Sequence, residues 1–360
     1  MPTDLECRSC GRTYEAGPDE PWRCECGHAL DFAERPLPES SEPAADRGAG
    51  LWAFAAFLPV GREVTLGEGW TPLTDAPHWD AAFKLDYVFP SGSYKDRGAA
   101  LTLSRAAELG VDRVVEDSSG NAGAAIAQYA ARAGVDAEIY VPADAKQSKL
   151  DAIEAAGATP VRVAGSRRDV TDACVAEAVG GDAWYASHAW NPAFYAGTST
   201  FAFEVAAQRG WTAPDAVVLP LGHGTLFLGA YRGFRALEAA GWTDAVPRLY
   251  GVQAAGVAPV VAELHDADAA GTNDVADGIQ IREPARLDQL LDAVAATDGD
   301  AVAVGADATE AALGDLHERG FYVEPTSAVA AAGLDAYRER GAIDPGEDVV
   351  VALTGSGLKR

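Results

Sequence analysis

The chain has 360 residues, 48% of them hydrophobic, enough for a sizeable core and more than one lobe. Its 54 acidic and 28 basic residues give a net charge of -26 dispersed along the sequence, a field that repels nucleic acid and anionic membranes. No run of about 18 apolar residues exists to cross a bilayer, and the start Met1-Pro2-Thr3-Asp4 lacks a basic, apolar leader, so a cytoplasmic protein is expected.

Four of the five cysteines fall early, as Cys7-Arg8-Ser9-Cys10-Gly11 and Cys24-Glu25-Cys26-Gly27. The Cys-x-x-Cys-Gly turn lets two thiolates converge on one ion. Four sulfurs suit tetrahedral zinc in a segment too small to fold on its own core. His28 stands by as a spare ligand. Two disulfides or a redox pair are the alternatives, and a cytoplasmic setting disfavours disulfides. Residues 1–35 are therefore expected to form a zinc ribbon, an appendage to the working body. Residues 36–50, rich in Pro, Ser and Gly, read as a linker.

From Leu51 onward short β-type runs alternate with Ala-rich helical patterns. The run Pro90-Ser91-Gly92-Ser93-Tyr94-Lys95-Asp96-Arg97-Gly98 leads into a helix over Ala99 to Leu109. Ser93 with Asp96 has capping-box spacing. Lys95 is then placed in the first helical turn, where the dipole disfavours an ammonium, a setting suited to Schiff-base chemistry. Lysine occurs only at 84, 95, 146, 149 and 359, so lysines near the chemistry stand out. A lysine-poor acidic surface is also what adaptation to high salt predicts, and loss of stability in low-salt buffer is its check.

Strands are predicted at Val111 to Val115, Ala137 to Val141, Pro160 to Val163, Ala216 to Pro220 and Val349 to Leu353. Helices are predicted at Asn121 to Gly134, Gln147 to Gly157 and Arg168 to Val179, with another running through to Gly241. Such alternation implies parallel sheets covered by helices, with ligands bound at the carboxyl ends of the strands. Three loops occupy such ends. Ser118-Ser119-Gly120-Asn121 offers hydroxyls and free amides suited to a carboxylate, though a plain serine cap fits as well. Gly222-His223-Gly224-Thr225-Leu226 offers amides able to wrap a phosphate, without matching a Walker or dinucleotide pattern. Thr354 follows the last, doubly buried strand. Cys174 reads as core. His265, His317 and the acidic stretches around Asp266 and Asp268 read as solvated surface.

Together these motifs resemble the fold-type II pyridoxal-phosphate (PLP) enzymes, and within them the threonine synthase-like group. The resemblance spans nearly the whole chain. It adds Gly67-Glu68-Gly69-Trp70-Thr71-Pro72-Leu73, Asp277-Gly278-Ile279-Gln280-Ile281, Glu324-Pro325-Thr326-Ser327-Ala328 and the closing Thr354-Gly355-Ser356-Gly357-Leu358-Lys359. It implies two open parallel-sheet α/β lobes behind the zinc ribbon, residues 51–360 forming the body and about 96–195 the smaller lobe. It implies pyridoxal 5'-phosphate held by Lys95 as a Schiff base, with Lys95 also moving protons.

By the same resemblance Asn121 meets the ring 3'-oxygen, Gly222, His223, Gly224, Thr225 and Leu226 cradle the phosphate, and Thr354 faces the ring nitrogen. Ser118, Ser119 and the Asn121 amide hold the carboxylate of a small amino-acid substrate. A homodimer is implied too. One departure bears on the substrate. Where that group carries an arginine to clamp a substrate phosphate, the run His188-Ala189-Trp190-Asn191-Pro192-Ala193-Phe194 ends in phenylalanine. The expected activity is β/γ-elimination or replacement of the threonine synthase type. A serine/threonine ammonia-lyase is the alternative, and a non-catalytic amino-acid-binding protein a third reading.

Overall fold

The computed structural model describes residues 2–265 and 270–359; Asp266 and Asp268 lie outside them. Three short strands open the chain: β1 (Leu5–Cys7), β2 (Thr13–Tyr14) and β3 (Leu30–Phe32), antiparallel in the order β2-β1-β3. The linker ends sooner than predicted. A 3-10 segment runs over Arg47–Phe57, because Asp46 Oδ1 caps it by accepting the Gly48 amide at 2.9 Å.

The body follows as β4 (Leu73–Ala76), β5 (Ala81–Leu85), α1 (Lys95–Glu108), β6 (Arg113–Glu116), α2 (Asn121–Ala133), β7 (Asp136–Pro142), α3 (Gln147–Ala155), β8 (Thr159–Val163), α4 (Arg167–Gly180) and β9 (Trp184–Tyr185). Then come α5 (Pro192–Gln208), β10 (Ala216–Pro220), α6 (Thr225–Ala239), β11 (Arg248–Ala254), α7 (Pro259–His265), α8 (Leu287–Ala296), β12 (Asp300–Val304), α9 (Ala306–Glu318), α10 (Pro325–Glu339) and β13 (Val349–Leu353). Two sheets result. Six strands run β12-β11-β10-β13-β5-β4, parallel except for β4 against β5, and four run β8-β7-β6-β9, all parallel. The antiparallel edge strand β4 was not legible beforehand. Strands β10 and β13 are buried at every position, as expected for apolar runs covered by helices on both faces.

The ribbon is not a loose appendage. Leu5, Cys7, Cys24, Leu30 and Phe32 belong to the same apolar core as α1 and α5. Asp31 of β3 is the bolt. It lies between Arg8 (2.7 Å) and Arg35 (3.4 Å) of the ribbon side and Arg232 (3.0 Å) and Arg286 (3.1 Å) of the body. Burial alone would raise its carboxyl, but the surrounding guanidiniums win and hold it well below the usual carboxylate range. Cys174 is fully buried in α4.

Candidate active site

The connections leaving β5, β6, β10 and β13 at their carboxyl ends converge. Tyr94 donates its amide to the Thr354 carbonyl at 2.9 Å, and Ser93 bridges Gly355, so the lysine loop lies against the end of β13. Lys95 begins α1, and its Nζ lies 3.4 Å from Thr225 Oγ1 at the start of α6; Tyr94 Oη bonds the same hydroxyl at 2.9 Å. Among the described residues no carboxylate forms an ion pair with Lys95; its Nζ lies 4.8 Å from the centre of the Tyr94 ring and 5.5 Å from that of Phe194. Asn121 Nδ2 donates to Glu324 Oε1 at 2.8 Å, and the Glu324 amide donates to the Gly355 carbonyl at 3.0 Å. Thr354 is buried, its hydroxyl 3.1 Å from that of Ser327. Lys95, Asn121, Thr225 and Thr354 therefore surround one cleft between the two sheets.

The glycine loop fits a phosphate cradle. Gly224 has φ +76°, and a Cβ there would lie 2.3 Å from Leu290 Cδ2; one at Gly222 would lie 3.2 Å from the Ile279 Cα. Only a bare backbone turns here, and it leaves the first amides of α6 without helical acceptors beside Lys95. At the serine loop, Ser118 Oγ accepts the Gly120 amide at 3.3 Å, and a Cβ on Gly123 would meet the Ser118 carbonyl at 1.8 Å. Helix α2 thus approaches the loop as closely as bare backbone permits. These donor sets fit pyridoxal 5'-phosphate: an amine for its aldehyde, amides for its phosphate and hydroxyls for its ring.

The predicted Ser93–Asp96 capping box is absent. Ser93 bridges Gly355 and its buried hydroxyl has no partner among the described residues, and α1 has no side-chain cap. Asp96 instead accepts the Ser91 amide at 2.9 Å and bonds the Ser91 hydroxyl. Burial pushes its carboxyl up to about 6, against the opposing pull of the Ser91 bonds.

Sequence reasoning missed several neighbours. Glu324 stands inside a run quoted only for resemblance; burial raises it, while Lys359 and the Asn121 bond lower it. His188 Nδ1 bonds Glu116 Oε1 at 2.6 Å under β6. Burial, then the neighbouring Asp117 charge, drives Glu116 well above the carboxylate range, and burial, then Lys95, holds His188 well below the imidazole range. Both shifts favour the uncharged forms of the two groups. His223 lies edge-on to His188 at 5.2 Å and is held down to about 3, by burial first and then by the charges of Arg167 and Lys95.

Beneath the cleft, Arg97 forks onto Asp86 (2.8 Å twice) and Glu204 (2.7 and 3.0 Å), and Lys84 meets Glu204 at 2.7 Å, all fully buried. His265 pairs with Asp300 at 2.8 Å and His317 with the Val323 carbonyl at 2.9 Å, away from this constellation.

In the ribbon, the sulfurs of Cys7, Cys10, Cys24 and Cys26 all lie within 4.8 Å of one another, with Cys7–Cys26 and Cys10–Cys24 at 3.5 Å. The spacing suits ligands around one ion, and all four cysteines are free. Tyr14 Oη donates to Cys24 Sγ at 3.2 Å, and His28 Nδ1 lies 3.4 Å from Cys26 Sγ.

Two open parallel sheets with a lysine at the cleft between them define a fold-type II enzyme. Residues 64–355 match the family described as pyridoxal-phosphate dependent enzyme. The chain is 33% identical to the threonine synthase of Methanocaldococcus jannaschii over 98% of its own length and 92% of that protein's. It is 32% identical to the threonine synthase of Methanosarcina acetivorans over 99% and 92%. The processed threonine deaminase isoform 2 of Solanum lycopersicum superposes with a TM-score of 0.71 at 23% identity, covering 89% of this chain and 90% of that one. An L-serine ammonia-lyase from Rhizomucor miehei does so at 0.67 and 22%, covering 79% and 93%. Those two likenesses are of fold alone. The chain belongs to the pyridoxal-phosphate-dependent enzymes, on their threonine synthase-like branch, and is a lyase. Among the described residues no helix is long and apolar enough to cross a membrane.

Proposed function

We propose that this enzyme converts an O-phosphorylated amino acid, phosphohomoserine, and water into threonine and inorganic phosphate. The observation carrying the reading is the Lys95 nitrogen 3.4 Å from the Thr225 hydroxyl at the N-terminus of α6, inside a chain related to threonine synthases along nearly its full length. When bound, pyridoxal 5'-phosphate supplies an aldehyde for amines and a ring that draws electrons from the substrate's α-carbon.

Lys95 would hold the cofactor through its amine, and the same amine would move protons at the substrate carbons. The amides of Gly222, His223, Gly224, Thr225 and Leu226 would hold the cofactor phosphate, Asn121 its ring oxygen and Thr354 its ring nitrogen. A neutral hydroxyl at Thr354 would favour an unprotonated nitrogen, which suits elimination and replacement. Ser118, Ser119 and the Asn121 amide orient the substrate carboxylate. Neutral His188 and His223 add no competing charge.

The same reading gives the four cysteines a structural zinc, the protein a cytoplasmic setting, and the active form two copies of the chain. Purified enzyme supplied with phosphohomoserine tests it. Phosphate released together with threonine supports the proposal. Ammonia and a 2-keto acid from threonine or serine, without phosphate release from phosphohomoserine, overturn it in favour of an ammonia-lyase. That second reading draws on Phe194, a fully buried ring where a phosphate clamp would stand.

A further inference from the structure

Tyr94 is the last residue before α1, and its amide is anchored on the Thr354 carbonyl at 2.9 Å. Its side chain reaches the first residue of α6, where Oη lies 2.9 Å from Thr225 Oγ1. Thr225 is buried and Tyr94 half-buried. Lys95 Nζ meets the same threonine oxygen at 3.4 Å and lies 4.8 Å from the centre of the Tyr94 ring. The Thr225 hydroxyl is thus a point where the lysine loop touches the glycine loop. The main chain there is fixed as well, because Thr198 Oγ1 donates to the Thr225 carbonyl at 2.8 Å.

Counting protons at this junction leaves one unspent. Each hydroxyl carries one proton and two lone pairs. Lys95 donates to Thr225 Oγ1, and one of the two hydroxyls donates to the other, which uses a single hydroxyl proton. The second is left over, since among the described residues neither oxygen has a further contact that accepts it. The cofactor's own chemistry supplies the acceptor. Its aldehyde and its phosphate arm stand on adjacent ring carbons, so a lysine that holds the first lies beside the second. The first amides of α6 stand at the same turn. A hydroxyl proton makes its stronger bonds to an anionic oxygen. The substrate carboxylate is assigned to the serine loop at the end of β6 and leaves this proton free.

We propose that Tyr94 is part of the cofactor's phosphate site: with Thr225 it delivers one shared hydroxyl proton to a phosphate oxygen, alongside the amides of residues 222–226. This rests on the reading of the glycine loop as the phosphate cradle and extends it to a side chain of the lysine loop. Tyr94 thereby couples the two anchors of the cofactor, because the residue next to the lysine also grips the phosphate.

The probes are pyridoxal 5'-phosphate and pyridoxal, which differ by the phosphate alone. Purified apoenzyme is titrated with each, and binding is followed through visible absorbance. The wild type should bind the phosphorylated form more tightly. Tyr94→Phe removes one oxygen and keeps the ring. Its preference for the phosphorylated form should fall about 3- to 10-fold, with pyridoxal affinity unchanged. Thr225→Val should cut the same preference, and adding Tyr94→Phe to it should cost nothing further, because a shared proton is lost only once.

A fall smaller than about threefold in Tyr94→Phe overturns the assignment. Equal weakening of both ligands also overturns it, giving the hydroxyl to Lys95 or to the fold instead of the phosphate. Losses that add in the double variant overturn the shared proton. A wild type that binds both forms alike refutes the cradle together with Tyr94, whereas a wild-type preference untouched by Tyr94→Phe refutes Tyr94 alone. Neither ligand is an amino acid, so these outcomes stand apart from the phosphohomoserine assay.

Discussion

Replacing Arg97 with methionine tests how the cleft is held. Arg97 is fully buried two residues after Lys95, and its fork satisfies both oxygens of Asp86 and both of Glu204, with Thr200 Oγ1 at 3.0 Å. The buried cluster balances two cations, Lys84 and Arg97, against two carboxylates. Burial already lowers Lys84 despite Glu204 beside it, so Lys84 cannot carry both acids alone. Methionine fills much of the volume but strands the carboxylates, and removing one partner of a buried pair costs about 3–5 kcal/mol. With unfolding entropy scaling with chain length, that is a fall in melting temperature on the order of 4–7 °C.

Because α1 carries both residues, the start of the helix should shift and kcat should fall further than stability alone explains. Differential scanning calorimetry of the holoenzyme, with kcat measured well below the transition, is the assay. A melting temperature within about 1 °C of wild type, with kcat intact, would refute the reasoning that this cluster positions Lys95.

Gly224→Ala should weaken cofactor binding by about 2–4 kcal/mol, from left-handed strain and collision with Leu290, read by titrating the apoenzyme; unchanged affinity would contradict the cradle. Acid should unfold the protein through Glu204. Burial raises this group, but the charges of Arg97 and Lys84 outweigh it and hold it at about 2. Its contribution, on the order of 3 kcal/mol, is full above its unfolded pKa and fades as pH falls from there toward 2. Glu204→Gln should flatten the stability-against-pH curve over that window, and an unaltered curve would refute it. Zinc should co-purify with the ribbon. A strong chelator should lower the melting temperature of the body too, because Asp31 ties β3 to Arg232 and Arg286. A metal-free protein of the same stability would contradict this.

The loops that build the cleft were legible because each couples a strand end to a helix start, and both halves are written locally. The apolar run of β10 and the glycines after it announce a buried strand and a tight turn. Val349 to Leu353 did the same for Thr354. The failures involve partners far away in sequence. Ser93 and Asp96 have capping spacing, but pairing with Gly355, 262 positions on, decides where the serine hydroxyl points. Arg97 is one residue beyond the motif aspartate, yet its role needs Asp86 and Glu204, the latter 107 positions away. Ribbon docking hides in Asp31, an aspartate with no local signature.

Borohydride reduction of the purified holoenzyme, followed by peptide mass spectrometry, interrogates the lysine directly. The account predicts a pyridoxyl group on the peptide carrying Lys95 and its disappearance in Lys95→Ala. The label on Lys84, Lys146, Lys149 or Lys359, or no label at all, would contradict it.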